Sequence, residues 1–233
     1  MELLLTSGGI RNQSIHDALV ELLGKPIAES SALCIPTATH AIPGGAAHAW
    51  RLVNGQGRSP LCELSWGSLG VLELTALPSI SPERWLPAIR ETDALLVGGG
   101  DCLYLCYWLR RSGLADLFPS LPSRMVYVGV SAGSMALTSI GFRILREDFG
   151  GTIVGEAEDG RVPPGNEGAL GLVDFSLLPH LDGDNPENSL ANFEIVAATT
   201  SVPAYAIDDE TAIKVSDGVV DVVSEGHWKL LNA

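Results

Sequence analysis

The chain alternates short, continuously apolar runs with longer stretches in which apolar residues recur every third or fourth position. Residues 3–6, 32–36, 71–77 and 94–97 are runs of the first kind, and they predict strands buried on both faces. Between them, Ile15, Ala18, Leu19 and Leu22 share one face of a helix over 14–23. Leu105, Trp108 and Leu109 do the same for a helix over 103–111. Ser81-Pro82-Glu83 opens a further helix to 91, with a capping residue and then proline at the first helical position. Residues 37–57 mix glycine, proline, histidine and Trp50, and predict a loop and a helix.

The second half begins with a long connection over 141–171, rich in glycine, proline and acidic residues and able to hold a short hairpin. Such connections often form lids or binding loops. An apolar strand over 172–178 then delivers Pro179-His180, and Asp184-Asn185-Pro186-Glu187 starts a helix to 199 with Leu190, Phe193, Ile195 and Val196 inward. A strand over 204–207 runs into Asp208-Asp209-Glu210. Runs at 211–215 and 219–223, around Ser216-Asp217-Gly218, predict a C-terminal β-hairpin. Strands alternating with helices specify α/β architecture with a doubly wound, mostly parallel sheet. No linker or repeat divides residues 1–233, so one domain is expected.

Composition narrows the function. Hydrophobic residues make up 46% and charged residues 18% of the chain, which suits a packed enzyme-like body. A net charge of −14, without any cluster of Lys and Arg, argues against nucleic acid as a partner. No apolar run approaches the ~20 residues of a membrane span, and residues 1–6 read as a core strand, so no membrane partner is expected. Cys34, Cys62, Cys102 and Cys106 are scattered. Cys102 and Cys106 lie one helical turn apart, but no second pair completes a zinc site. Buried thiols in a reducing cytoplasm, with no metal and no cofactor, are the expectation.

The chemistry centres on 126–137, where the apolar run Val126-Tyr127-Val128 passes through Gly129-Val130-Ser131-Ala132-Gly133 into small residues and helix formers. This is a buried strand, a sharp turn and a helix. Gly129 and Gly133 remove side chains where the reversing chain would collide with itself, so Ser131 can stand at the tip. A second strand-glycine-helix unit, Val97-Gly98-Gly99-Gly100-Asp101, opens at the same carboxyl edge, where such sheets place ligands.

A serine hydroxyl needs a base, normally a histidine held by a carboxylate. Of the five histidines, His180 follows an apolar strand and emerges at that edge. His40 and His48 border the site at most, and His16 and His227 suit surface or packing roles.

These stretches, with Leu170-Gly171-Leu172-Val173-Asp174-Phe175 leading to Pro179-His180 and Ile207-Asp208-Asp209-Glu210-Thr211-Ala212, resemble the S51 serine peptidases, the peptidase E and cyanophycinase relatives. The resemblance spans about residues 90–220. It implies a flavodoxin-like sheet related to class I glutamine amidotransferases, with serine in place of cysteine. It further implies dipeptidase or exopeptidase hydrolysis of small peptides without a metal, and a homodimer.

By that resemblance Ser131 is the nucleophile and His180 the general base and acid. The N–H groups of Ala132 and of Gly99 or Gly100 would form the oxyanion hole. Cyanophycinase-like members carry a glutamate where this chain, aligned on Thr211-Ala212, has Asp209, while peptidase E proper takes an aspartate soon after the elbow. Asp209 is therefore the expected acid, with Asp208, Glu210 and Asp148 as alternatives.

Peptidase E resembles an enzyme tuned to N-terminal aspartate, which calls for an arginine. The segment 181–188 is acidic and has no Arg or Lys, so Asp182 or Asp184 is expected to favour a substrate's amino group, with Arg143, Arg146 and Arg161 as the remaining basic candidates. Two other readings compete. One is an α/β-hydrolase esterase using His227 with Asp174, Asp208 or Asp209; the other is a non-catalytic amidotransferase-like binding domain.

Overall fold

The computed structural model describes residues 1–140 and 168–232. A seven-stranded sheet forms its centre, from β1 (Glu2–Thr6), β2 (Ser31–Ile35), β3 (Ser68–Val71), β4 (Ala94–Val97), β5 (Val126–Val130), β8 (Thr211–Ser216) and β9 (Val219–Ser224). The order is β3-β2-β4-β5-β1-β8-β9. The first five strands are parallel, and the β8–β9 hairpin adds antiparallel to β1. The predicted hairpin therefore extends the main sheet. A second sheet, β10-β7-β6, is built from β6 (Ser176–Leu178), β7 (Ala204–Ile207) and β10 (Trp228–Leu231).

The continuous apolar runs are explained by burial on both faces. Leu3, Leu5, Leu95, Val97 and Tyr127 enter one core, whereas Leu4, Ala94, Leu96, Val126 and Val128 enter the other. Because side chains alternate across a strand, a sheet covered on both sides leaves no polar position in register. One face is packed by α1 (Gln13–Leu23) through Ile15, Ala18 and Leu19. On the other lie α3 (Pro82–Glu91), α4 (Cys102–Arg111) and the short α5 (Leu114–Leu117), through Ile89, Leu103, Leu105, Leu109 and Leu114. That core also takes Leu177, Ala206 and Leu231 from the second sheet.

Four expectations need correction. The run at 71–77 is not a strand: β3 ends at Val71, Leu72 and Leu74 are buried from the connection that follows, and Leu77 from a 3₁₀ turn (Leu77–Ser79). Thr37 draws the chain off the ladder there, donating to Glu73 and accepting from the Leu74 N–H. The strand expected over 172–178 keeps only Ser176–Leu178 and belongs to the second sheet. The helix expected over 184–199 divides at Ser189, whose hydroxyl accepts from the Asn192 N–H, into a 3₁₀ turn (Pro186–Asn188) and α7 (Leu190–Ala197). On α7, Ile195 is 68% exposed rather than inward. The loop-and-helix reading of 37–57 is met by a 3₁₀ turn (Thr37–Ala41) and α2 (Gly45–Val53). The lid expected over 141–171 lies largely outside the described residues.

The winding reverses between β2 and β4. The chain leaves β2 outward to β3 and leaves β4 in the opposite direction to β5. A crevice opens at such a switch point, outside the carboxyl ends of the strands.

Candidate active site

Five chain segments converge on that carboxyl edge. Ser7 follows β1, Gly98-Gly99-Gly100 follows β4 and Ser131 follows β5. His180 follows β6, and Asp209 follows β7. The serine and histidine stand on different sheets, which the shared core holds together.

Ser131 adopts φ 51°, ψ −112°, a conformation costing on the order of 1–3 kcal/mol for a residue with a side chain. Its surroundings hold it there. Its N–H donates to Thr6 O at 3.0 Å, and its carbonyl accepts from the Ser134 and Met135 N–H groups, each at 2.9 Å. The Ser134 hydroxyl donates to Thr6 O at 2.8 Å, and the buried Tyr127 hydroxyl to Gly133 O at 2.7 Å. Both predicted glycines are required by close approach. A Cβ on Gly129 would lie 2.7 Å from Ser134 N, and one on Gly133 2.3 Å from Val97 O. The helix after the serine, α6 (Ala132–Met135), is a single turn. It is shorter than the pattern suggests because residues 136–138 continue as turns into the segment packed on Phe175 and Leu170.

Ser131 Oγ lies 2.8 Å from His180 Nε2, and His180 Nδ1 lies 2.7 Å from Asp209 Oδ1. With the ring proton on Nδ1 donated to the carboxylate, Nε2 is left to accept from the serine hydroxyl. The hydrogen bond from His180, joined by those of Ser7 and the charge of Arg11, holds the Asp209 carboxyl down to about 2 against the opposing effect of burial. That carboxylate remains ionised throughout the neutral range.

Among the described residues, the N–H groups of Gly99, Gly100 and Ala132 donate to no protein acceptor, while the neighbouring Gly98 and Asp101 donate to Ile35 O and Ala38 O. Free amides beside a serine hydroxyl are the arrangement that an oxyanion hole would need.

The alternative acids sit elsewhere. Asp208 Oδ1 accepts from Thr211 Oγ1 at 2.7 Å and its Oδ2 from the His227 N–H, so it braces the β7–β8 turn. Glu210 accepts from Asn12 Nδ2 at 3.1 Å. Asp148, Arg143, Arg146 and Arg161 lie outside the described residues. His227 is on the surface against Asp208, 3.5 Å away, and His16 beside Asp17. His40 pairs with Glu73 at 3.3 Å, while His48 borders the cavity in front of Ser131.

Ser7 joins this contact, and the sequence pattern does not single it out. Its hydroxyl donates to Asp209 Oδ1 at 2.7 Å and accepts the His180 N–H at 2.8 Å. Arg11 also reaches this carboxylate, 3.6 Å from Oδ2. The available signal was a polar residue at the end of β1, but contact with a residue some two hundred positions away leaves no local trace.

A cavity of about 280 Å³ opens on Ser131 and His180, at the β2/β4 switch point. Thr39, His48, Arg51, Arg58 and Gly98–Gly100 line it. The exposed Asp182 and Asp184 do not. All four cysteines are buried and unpaired. Contact with Cys62 pushes the Cys34 thiol up and contact with Cys106 does the same to Cys102, burial adding to each, so both are held away from reactivity. Among the described residues no group of three His, Cys, Asp or Glu could hold a metal ion, and no helix is long and apolar enough to cross a membrane.

Because Asp209 is held down in the folded chain, its contribution to stability is present above the unfolded value of about 4 and lost as pH falls through about 2. Asp209→Asn is expected to be less stable than wild type at pH 6, with the gap closing between about pH 4 and 2. Urea unfolding of both proteins across that range checks it; a constant gap would contradict the assignment.

No curated protein matches the chain. Two solved structures share its fold. A candidate peptidase E protein from Listeria monocytogenes EGD-e is 19% identical, covers 97% of this chain and 98% of its own, and superposes with a TM-score of 0.62. A peptidase from an acI-B1 Actinobacterium, also 19% identical, covers 99% of this chain and 90% of its own, with a TM-score of 0.65. The sheet order and parallel core thus represent the class I glutamine amidotransferase-like fold of peptidase E proteins. The model of peptidase family S51 matches residues 3–223, nearly the whole length, and the chain is a member of that family of serine peptidases.

Proposed function

We propose that the protein is an exopeptidase that hydrolyses short peptides through Ser131, His180 and Asp209, as a single-domain cytoplasmic homodimer. The observation that carries this reading is the 2.8 Å contact between Ser131 Oγ and His180 Nε2, with Asp209 on the other ring nitrogen. His180 takes the serine proton as Ser131 Oγ attacks the scissile carbonyl. The oxyanion is met by the N–H of Ala132 and that of Gly99 or Gly100, two donors worth about 3 kcal/mol each in serine hydrolases generally. His180 then gives the proton to the departing amine, and water, activated by the same imidazole, releases the acyl group and regenerates Ser131. Asp209 keeps the ring in the required tautomer and stabilises its charged form.

The small cavity favours short peptides over folded protein chains. Buried, unpaired thiols suit a reducing compartment.

The decisive experiment combines fluorophosphonate labelling with hydrolysis of a dipeptide library varied at the N-terminal residue, for wild type and Ser131→Ala. Labelling and cleavage lost together in the variant support the proposal. A wild-type protein that neither labels nor cleaves is a non-catalytic binding domain, and cleavage that survives in Ser131→Ala removes the proposed nucleophile.

Ser7 is a positioning residue in this scheme. Ser7→Ala is expected to lower kcat about 10-fold with KM little changed, since a hydrogen bond to a charged group contributes about 1.5–3 kcal/mol. The acid limb of the pH–rate profile moves with it; a drop in rate with an unmoved profile would mark the residue as merely structural.

A further inference from the structure

The wall of the cavity facing the substrate carries the opposite charge to the protein. Asp and Glu outnumber Lys and Arg by 28 to 14 in the chain, yet among the described residues no Asp or Glu lines the cavity, while Arg51, Arg58 and His48 do. Among the described residues, neither Arg51 nor Arg58 forms an ion pair; their neighbour Arg11 is taken up by Asp209 and Glu210.

The wall is also firmly built. Leu52, next to Arg51 on α2, packs so closely on the Gly98 turn that a Cβ there would lie 2.5 Å from Leu52 Cδ2. The Arg58 carbonyl accepts from Arg11 Nη2 at 3.5 Å, and two residues on Pro60 O accepts from the Ile10 N–H at 2.8 Å. The segment bearing Arg58 is thereby docked on the β1 turn that supplies Ser7. A guanidinium offers paired donors matched to a carboxylate.

We propose that Arg51 and Arg58 form a binding site for the C-terminal carboxylate of a short peptide. The inference rests on the reading of Ser131 as the reacting group, since that is what brings a peptide into the cavity. Both arginines are exposed, which fits a chain end left at the mouth of the cavity better than a side chain enclosed in a specificity pocket. The site limits substrate length: a chain continuing past the carboxylate forfeits the contact. It lies on different segments from the acidic stretch after His180.

Binding to the full-length Ser131→Ala protein, measured by titration calorimetry, tests this without requiring turnover. The probes are Ala-Leu, Ala-Leu-amide and Asp-Leu-amide. Ala-Leu is expected to bind about 10-fold more tightly than its amide, the lower end of what charge-assisted hydrogen bonds provide. That ratio should shrink with added salt and fall below about 2 in Ser131→Ala/Arg51→Gln/Arg58→Gln. Because each ratio compares two ligands on one protein, small changes in folding cancel.

Equal binding of acid and amide overturns the proposal, as does a ratio that survives loss of both arginines. Tighter binding of Asp-Leu-amide than of Ala-Leu, lost in the triple variant, also overturns it by assigning the arginines to a side-chain carboxylate. Failure of the hydrolytic reading would appear instead as wild type that does not label with fluorophosphonate, with the calorimetric ratio intact.

Discussion

Ser131→Ala is expected to lower kcat by about 10⁴-fold or more while leaving the unfolding midpoint within a few degrees of wild type. The size follows from the way the three groups work together. Removing a nucleophile or its base in a serine hydrolase costs about as much as removing the whole triad, because neither does much without the other. His180→Asn should therefore cost nearly as much, and the double variant hardly more than either alone. Asparagine is the suitable replacement, since His180 sits at φ 65° and asparagine tolerates that region better than alanine. The fold should survive both changes: Ser131 contributes its backbone to the elbow, through the bonds to Thr6, Ser134 and Met135, whereas among the described residues its hydroxyl bonds only His180. Steady-state rates on the best library dipeptide, with thermal melts alongside, provide the check. Single losses that multiply in the double variant would mean that the two residues act independently.

Gly133→Ala is expected to be the most damaging methyl that can be added to the elbow, destabilising the protein by about 3 kcal/mol or more. The added Cβ would stand 2.3 Å from Val97 O and 3.1 Å from Gly98 O, atoms of the β4 backbone that cannot rotate away as a side chain would. Relief requires moving either the elbow or the glycine turn after β4, and each carries part of the site. Activity should thus fall together with stability. Gly57→Ala is the matched comparison: its Cβ would meet nothing closer than 3.5 Å, so the change is expected to stay within about 1 kcal/mol. Urea titrations of both variants read the difference, and a Gly133→Ala protein as stable as Gly57→Ala would show that the β4–β5 contact is looser than described.

Much of the molecule was legible in the sequence because its signals are local. A strand buried on both faces must be apolar at every position, so 94–97 and 126–130 declare themselves. The elbow is legible because a serine at a sharp reversal needs small neighbours within two or three positions. His180 was recognisable from its place after an apolar run, even though that run proved to be a three-residue strand of a second sheet. Where sequence reading failed, tertiary contact overrode local pattern. Leu72, Leu74 and Leu77 look like a strand because burial requires leucine whatever the backbone does, and it was Thr37, far away in sequence, that ended β3. Ile195 sits among apolar neighbours but faces solvent, since Ser189 starts α7 afresh and so fixes which face turns inward.

By itself, then, the sequence determined the fold class, and it put forward a serine, a histidine and a short set of acids as candidates, each written in the few residues around it. The tertiary structure alone decided which acid meets the imidazole, that Ser7 completes that contact, and that Arg51 and Arg58 rather than Asp182 and Asp184 line the cavity. Hydrogen bonds and cavity walls depend on separations of a few ångströms between elements far apart along the chain, and spacing in sequence carries no record of those distances until the strands are ordered in the sheet.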